Sequence, residues 1–174
     1  MNAQGINIEV SSPSTISLNE TVACVICQYP NFYGYLEDLT CLAETSHDAG
    51  ALLVVSTDPI SLGMFRPPGS YDADIVVGEG QAIGTAPTFG GPYVGLFASK
   101  TKYLRQMPGR IVGKTTDSKG RDGYVLTLQT REQHIRRETA TSNICTSEAL
   151  VALASVVYLT AVGPSGLRKI SELC

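Results

Sequence analysis

Runs of apolar, β-favouring residues alternate along the chain with stretches at helical spacing, the pattern of an α/β domain built on a largely parallel sheet. Residues 5–10 and 22–28 read as strands. Between 36 and 49 the apolar positions Leu36, Leu39, Leu42 and Ala43 fall at helical spacing, and Gly50 supplies a left-handed terminator. Residues 51–57, centred on Leu52-Leu53-Val54-Val55, read as a buried strand leading to Asp58-Pro59. A further strand at 74–77 runs into a glycine-rich segment, and others are expected at 93–99, 111–115 and 124–129. The last long helix is expected over 147–161, with Thr146 as its N-cap and Leu150, Leu153, Ala154, Val157 and Ala161 as its apolar stripe. Gly163-Pro164 stops it, and a second helical stretch begins at Ser165. No internal repeat or low-complexity segment interrupts the alternation.

Composition narrows the class. At 174 residues the chain is long enough for one domain with a sizeable core. With 43% hydrophobic residues, 17% charged and a net charge of -3, it has no electrostatic reason to seek nucleic acid or an anionic membrane. No unbroken apolar run reaches the roughly 18 residues of a membrane-spanning helix, and Met1-Asn2-Ala3-Gln4-Gly5 lacks the charged start and apolar centre of a signal peptide. A cytoplasmic setting is expected.

Cysteine usage points the same way. Cys24, Cys27, Cys41, Cys145 and Cys174 are odd in number and form no framework, which favours reduced thiols. Cys24 and Cys27 have C-x-x-C spacing, but Val22-Ala23-Cys24-Val25-Ile26-Cys27 reads as a continuous buried strand, in which positions three apart point to opposite faces. A zinc site would need two more ligands and a redox pair a turn into a helix, so the pair is read as structural and no metal is expected.

Two glycine-rich segments approach phosphate-binding motifs and miss. Gly78-Glu79-Gly80-Gln81-Ala82-Ile83-Gly84 has Ile83 where the third glycine of G-x-G-x-x-G belongs. Gly109-Arg110-Ile111-Val112-Gly113-Lys114-Thr115 has three residues rather than four between its glycines, and a strand is expected there. A cradle of backbone N–H groups does not survive such a deletion. Arg131, His134, Arg136 and Arg137 alternate with Glu132 and Glu138 after an apolar strand. Two readings fit: a solvated helix start with an i,i+4 pair such as Glu132 with Arg136, or guanidinium groups that grip carboxylates or phosphates across subunits.

Six segments carry a resemblance to a known family. They are Tyr29-Pro30-Asn31-Phe32, Val76-Val77-Gly78-Glu79-Gly80-Gln81, Gly90-Gly91-Pro92-Tyr93-Val94-Gly95, Met107-Pro108-Gly109-Arg110-Ile111-Val112-Gly113, Gln129-Thr130-Arg131-Glu132-Gln133-His134-Ile135-Arg136-Arg137-Glu138 and Ala140-Thr141-Ser142-Asn143-Ile144-Cys145-Thr146. In this order and spacing the chain resembles the P-protein family of the glycine cleavage system, and specifically its first subunit in two-subunit glycine decarboxylases of bacterial or archaeal type. The resemblance implies part of the large domain of the pyridoxal-phosphate-dependent transferase (aspartate-aminotransferase-like) fold. The chain would be the later part of that domain, with N-terminal and C-terminal portions of the subunit absent.

In the catalytic half of this family a Schiff-base lysine stands eleven residues before the proline of the Gly-Gly-Pro turn, and counting back from Pro92 gives Gln81. An amide cannot form the imine, which requires an amine able to lose its proton. The resemblance therefore implies no catalytic, cofactor-binding or metal-binding residue on this chain. Asp58 matches the aspartate that pairs with the pyridine nitrogen in catalysts of the fold, and His47 matches a histidine on the preceding helix. Both are expected as remnants, a hydrogen-bonding core aspartate and a helix C-terminal histidine.

The implied enzyme decarboxylates glycine on pyridoxal phosphate held by the sister subunit and passes the aminomethyl group to lipoyl H protein. The partners would be glycine dehydrogenase subunit 2 and that H protein, the arginine-rich run would meet the sister subunit, and the piece alone is expected to self-associate through uncovered surfaces. The alternatives are an autonomous pyridoxal-phosphate enzyme using Lys100 or Lys102, and a structural or regulatory module.

Overall fold

The structure, a computed structural model, describes residues 5–140 and 148–174, without the side chain of Arg131. Its frame is a four-stranded sheet ordered β1 (Cys24–Tyr29), β2 (Leu52–Thr57), β3 (Ile75–Glu79) and β4 (Gly95–Ser99). The first three strands are parallel, with Val25 opposite Leu53 and Val54 opposite Ile75, and β4 runs antiparallel, with Val77 opposite Phe97. Strands β5 (Ile111–Thr116) and β6 (Asp122–Thr127) form a separate antiparallel hairpin. The expected strands are therefore found from residue 24 onward, with ends shifted by one or two residues.

Helix α1 (Leu39–Asp48) crosses from β1 to β2 and buries Leu39, Leu42 and Ala43 against Val25, Cys27, Tyr29, Leu53 and Val55. It starts three residues later than the spacing predicts because the Asp38 carboxylate accepts from the backbone N–H of Thr40 and Cys41, both at 3.1 Å. Such a cap is worth about 1 kcal/mol. It ends as expected at Gly50, whose φ of 75° lets its N–H return to the His47 carbonyl at 2.9 Å. Leu53 and Val55 are fully buried, each contributing roughly 1.5–3 kcal/mol. Tyr29 closes this core edge-on to Phe65 and Tyr71, at 6.4 and 6.1 Å between centroids, and burial followed by the Tyr71 contact raises its hydroxyl to about 12.

Only one face of the sheet is covered by α1. On the other, Cys24 and Ile26 of β1 and Phe97 of β4 are exposed. The expectation that β1 is buried on both faces is therefore corrected, although Cys24 and Cys27 do point to opposite faces, one exposed and one buried. Burial, then the nearby Glu37, pushes the Cys27 thiol up to about 11. Near the start of the strands this face holds a cavity of about 230 Å³ lined mainly by Leu52, Ile75, Phe97, Tyr103, Met107 and Pro108, with no carboxylate, imidazole or amine in its wall.

The strand expected at 5–10 does not form. Ile6, Ile8 and Val10 are exposed, and no strand among the described residues pairs with them, so their N–H and C=O groups have no ladder to join.

Helix α3 (Ala149–Leu173) breaks at Gly163, where φ is 64° and ψ 177°, and continues after Pro164, as the stop and restart predict. The Thr146 cap lies outside the described residues. The expected apolar stripe is corrected: Leu150, Leu153, Ala154, Val157 and Ala161 are exposed, while Val151, Ser155, Tyr158 and Val162 occupy the more covered side. Two glycines explain the choice. A Cβ at Gly84 would stand 2.8 Å from the Tyr158 Cβ, and one at Gly63 2.7 Å from the Leu167 carbonyl oxygen. The helix thus lies directly on the loops that follow β2 and β3. By length and mean hydropathy α3 is long and apolar enough to cross a membrane, and it breaks at Gly163.

Candidate functional site

In an open parallel sheet, ligands collect outside the carboxyl ends of the strands. Here that edge carries Asp58 after β2 and the turn from Gly80 to Gly84 after β3, and the register places them side by side. The packing that builds the turn is tight. A Cβ on Gly78 would come 2.6 Å from the Thr57 carbonyl oxygen, and one on Gly80 2.5 Å from Val94 Cγ1, so only glycine fits between β2, β3 and the chain entering β4. The turn does not open into a helix, since Ile83 N–H returns to the Gly80 carbonyl at 3.0 Å. That agrees with rejecting a dinucleotide fingerprint. Likewise 111–116 is the strand β5, as expected where the phosphate-loop motif fails.

The polar side chains at this edge are committed to their own backbone. Gln81 donates its side-chain amide to the Thr85 carbonyl and its N–H to Glu79 Oε1 at 3.0 Å. Asp58 accepts from Ile60 N–H at 2.9 Å, and its carbonyl accepts from the Ser61 hydroxyl at 2.7 Å. Asp58 hydrogen-bonds as expected but is solvent-exposed, so it is not the core aspartate that the fold comparison implies.

The fully buried aspartate among the described residues is instead Asp74, at the other end of the strands, which sequence reasoning missed. It stands one residue before β3, fully buried, and its Oδ2 accepts from Leu53 N–H at 3.0 Å and meets His47 Nε2 at 2.7 Å. Its Oδ1 lies 3.0 Å from Lys100 Nζ and 3.3 Å from Lys102 Nζ. Asp72 completes the group, 2.7 Å from Lys100 Nζ and 3.5 Å from His47 Nδ1. Burial alone would raise the Asp74 carboxyl, but the His47, Leu53 and Lys100 contacts outweigh it and hold it well below the usual carboxylate range. Lys100 is displaced upward, the two aspartates overcoming the opposing effect of burial. A charged residue opening an otherwise apolar run, Ala73-Asp74-Ile75-Val76-Val77, was the available signal.

This cluster lies at the amino ends of the strands, so His47 is not brought together with Asp58 and Gln81. The six residues of β2 separate them, roughly 20 Å. His47 does occupy the last turn of α1, as expected, but a buried carboxylate holds it as well as the helix dipole. Lys100 and Lys102 belong to the same remote cluster, and an amine raised by paired carboxylates, as Lys100 is, is the opposite of an activated nucleophile.

The arginine-rich run follows the hairpin as a short turn, Gln129–Arg131, and helix α2 (Gln133–Arg136). His134, Arg136 and Arg137 are exposed; the side chain of Arg131 lies outside the described ones, as do residues 141–147. Arg136 Nε donates to the Thr130 carbonyl at 3.1 Å.

Pyridoxal phosphate in this fold needs a lysine amine and a buried carboxylate at the carboxyl edge. The edge offers a tethered amide at 81 and an exposed carboxylate at 58. Thr57 Oγ1, buried beside Asp58 with no hydrogen-bond partner, is a hydroxyl and supplies neither. The residues present do not fit covalent anchorage of that group.

Comparison with known proteins bears on the whole chain. The family model for glycine cleavage system P-protein matches residues 1–174. A probable glycine dehydrogenase (decarboxylating) subunit 1 from Desulforamulus reducens is 60% identical over 90% of the chain and 35% of its own length. The corresponding protein from Thermomicrobium roseum is 52% identical over 96% of the chain and 39% of its own length. The crystal structure of an inhibitor-bound glycine decarboxylase (P-protein) of the glycine cleavage system superposes with a TM-score of 0.82 at 53% identity, covering 87% of this chain and 35% of that one. The chain thus spans a little over a third of the length of these relatives. The α/β, mostly parallel architecture is that of the pyridoxal-phosphate-dependent fold of glycine decarboxylase, as the resemblance implied. With the family model matching from end to end, this chain belongs to the glycine cleavage system P-protein family.

Proposed function

We propose that the chain is the later part of the large domain of the first, non-catalytic subunit of a two-subunit glycine dehydrogenase (decarboxylating). In this reading the second subunit holds pyridoxal phosphate, glycine loses its carboxyl group there as carbon dioxide, and the aminomethyl group passes to lipoyl H protein. The present residues scaffold that site and shape its entrance, and the exposed arginine-rich run meets the second subunit. The observation that carries this reading is at position 81, where an amide is tied to the Thr85 carbonyl while Lys100 and Lys102 are paired with aspartates at the other end of the strands. The free state of Cys24, Cys27, Cys41 and Cys174 supports a reducing, cytoplasmic setting.

Reconstitution tests it. Carbon dioxide released from carboxyl-labelled glycine, with H protein present, is expected only when the subunit carrying this chain and the second subunit are combined. Full activity of the second subunit alone, or of this subunit alone, overturns the reading. The rival of an autonomous enzyme using Lys100 or Lys102 has the pairing of both amines with Asp74 against it.

A further inference from the structure

Helix α3 rests on the carboxyl edge through two sides that one straight helix could not turn the same way. Before the break it lies against Gly84, where a Cβ would stand 2.8 Å from the Tyr158 Cβ and 3.2 Å from the Ala154 carbonyl oxygen. After the break it lies against Gly63, where a Cβ would stand 2.7 Å from the Leu167 carbonyl oxygen and 3.0 Å from the Ser171 Cβ. At about 3.6 residues per turn, nine residues carry the chain round by about 180°, so Tyr158 and Leu167 would point to opposite sides of an unbroken helix. The break reconciles them. Accordingly the covered side passes from Val151, Ser155, Tyr158 and Val162 to Gly166, Leu167, Ile170 and Ser171.

Gly163 makes the corner. Its φ of 64° and ψ of 177° lie in a region that essentially only glycine enters, and a Cβ there would meet nothing within 4 Å outside its own helix. Conformation alone demands a glycine here. What the corner holds together is the carboxyl edge, because the two loops under α3 carry Asp58 and Gln81. Gly63 closes a turn that begins at Asp58, whose carbonyl accepts from the Ser61 hydroxyl at 2.7 Å, and Gly84 lies in the turn tied by the Gln81 side-chain amide to the Thr85 carbonyl. These turns follow the neighbouring strands β2 and β3. Each half of α3 is seated on one of them.

We infer that Gly163 is a positioning residue: its corner fixes the Asp58 turn against the Gln81 turn and so sets the entrance that this chain gives to the second subunit's site. This rests on the proposed function. Hydrogen exchange on the whole subunit carrying this chain, comparing wild type with Gly163→Ala and Gly63→Ala, reads the coupling without the second subunit. Gly163→Ala should speed exchange roughly tenfold in both turns, 60–65 and 80–85, while β1 keeps its wild-type rate. Gly63→Ala, which lifts only the second half of α3, should speed 80–85 as well as 60–65. Faster exchange in one turn alone, only within α3, or uniformly over the subunit would overturn the inference and leave the proposed function standing. With the second subunit and H protein added, Gly163→Ala should raise the KM for glycine roughly threefold with kcat within about twofold. An unchanged KM would overturn the inference, whereas a wild-type pair that releases no carbon dioxide would overturn the proposed function itself.

Discussion

The two ends of the parallel strands are built on opposite principles. At the amino ends a buried carboxylate, Asp74, gathers an imidazole, two amines and a backbone N–H from three separate segments. At the carboxyl ends, where sheets of this kind bind ligands, Asp58 and Gln81 bond only to residues two to four positions away. The ionisable chemistry is concentrated where it fastens α1, β2, β3 and β4 together, and the edge suited to catalysis is occupied by local turns. Perturbed carboxylates mark functional sites often enough to mislead, and here the buried, depressed Asp74 carboxyl belongs to a structural hub.

Breaking that hub should have the largest effect. Asp74→Ala removes the common partner of His47, Lys100 and Leu53 N–H, and loss of one partner in a buried ionic cluster costs about 3–5 kcal/mol. Urea unfolding of the variant should show this loss, whereas Asp58→Ala, at an exposed turn, should cost about 1 kcal/mol or less. Equal losses at the two sites would erase the contrast.

The pH dependence sharpens it further. Because the folded state depresses the Asp74 carboxyl, its stabilising contribution is fully present above the unfolded carboxylate value, about 3.9, and is lost as pH falls through the lower folded value. On acidification below about pH 4 the margin by which wild type exceeds Asp74→Asn should therefore shrink. A margin that grew below about pH 4 would contradict the assignment.

A smaller effect separates two glycines at the carboxyl edge. Gly84 combines φ of 98° with a Tyr158 contact that a Cβ would violate, while Gly90, at φ 86°, has nothing within 4 Å. Gly90→Ala should cost about 1 kcal/mol from backbone strain alone, and Gly84→Ala about 1–3 kcal/mol more because α3 must move. Thermal midpoints that fall equally would mean α3 does not rest on this turn.

Much of the frame was legible because it is local. The spacing of Leu39, Leu42 and Ala43, the terminator at Gly50 and the break at Gly163-Pro164 each follow from residues within one turn of one another. What was not legible depends on distant partners. Ile6, Ile8 and Val10 read as a strand, but a strand exists only with a neighbour to bond. The apolar stripe of α3 was visible, yet which side faces the sheet is decided by close approach at Gly63 and Gly84, some seventy to a hundred residues away in sequence. The candidate site was read at Asp58 and Gln81 from a resemblance, whereas the Asp74 cluster joins residues 47, 53, 72, 74, 100 and 102 and has no contiguous motif.

The central claim, that the carboxyl edge of this chain does not anchor pyridoxal phosphate, is tested most directly by reducing the assembled two-subunit enzyme with borohydride in the presence of the cofactor and mapping the labelled lysine. The label is expected at one to one on the second subunit, with none on Lys100, Lys102 or any other lysine of this chain. A stoichiometric phosphopyridoxyl group on any of those lysines would contradict the account.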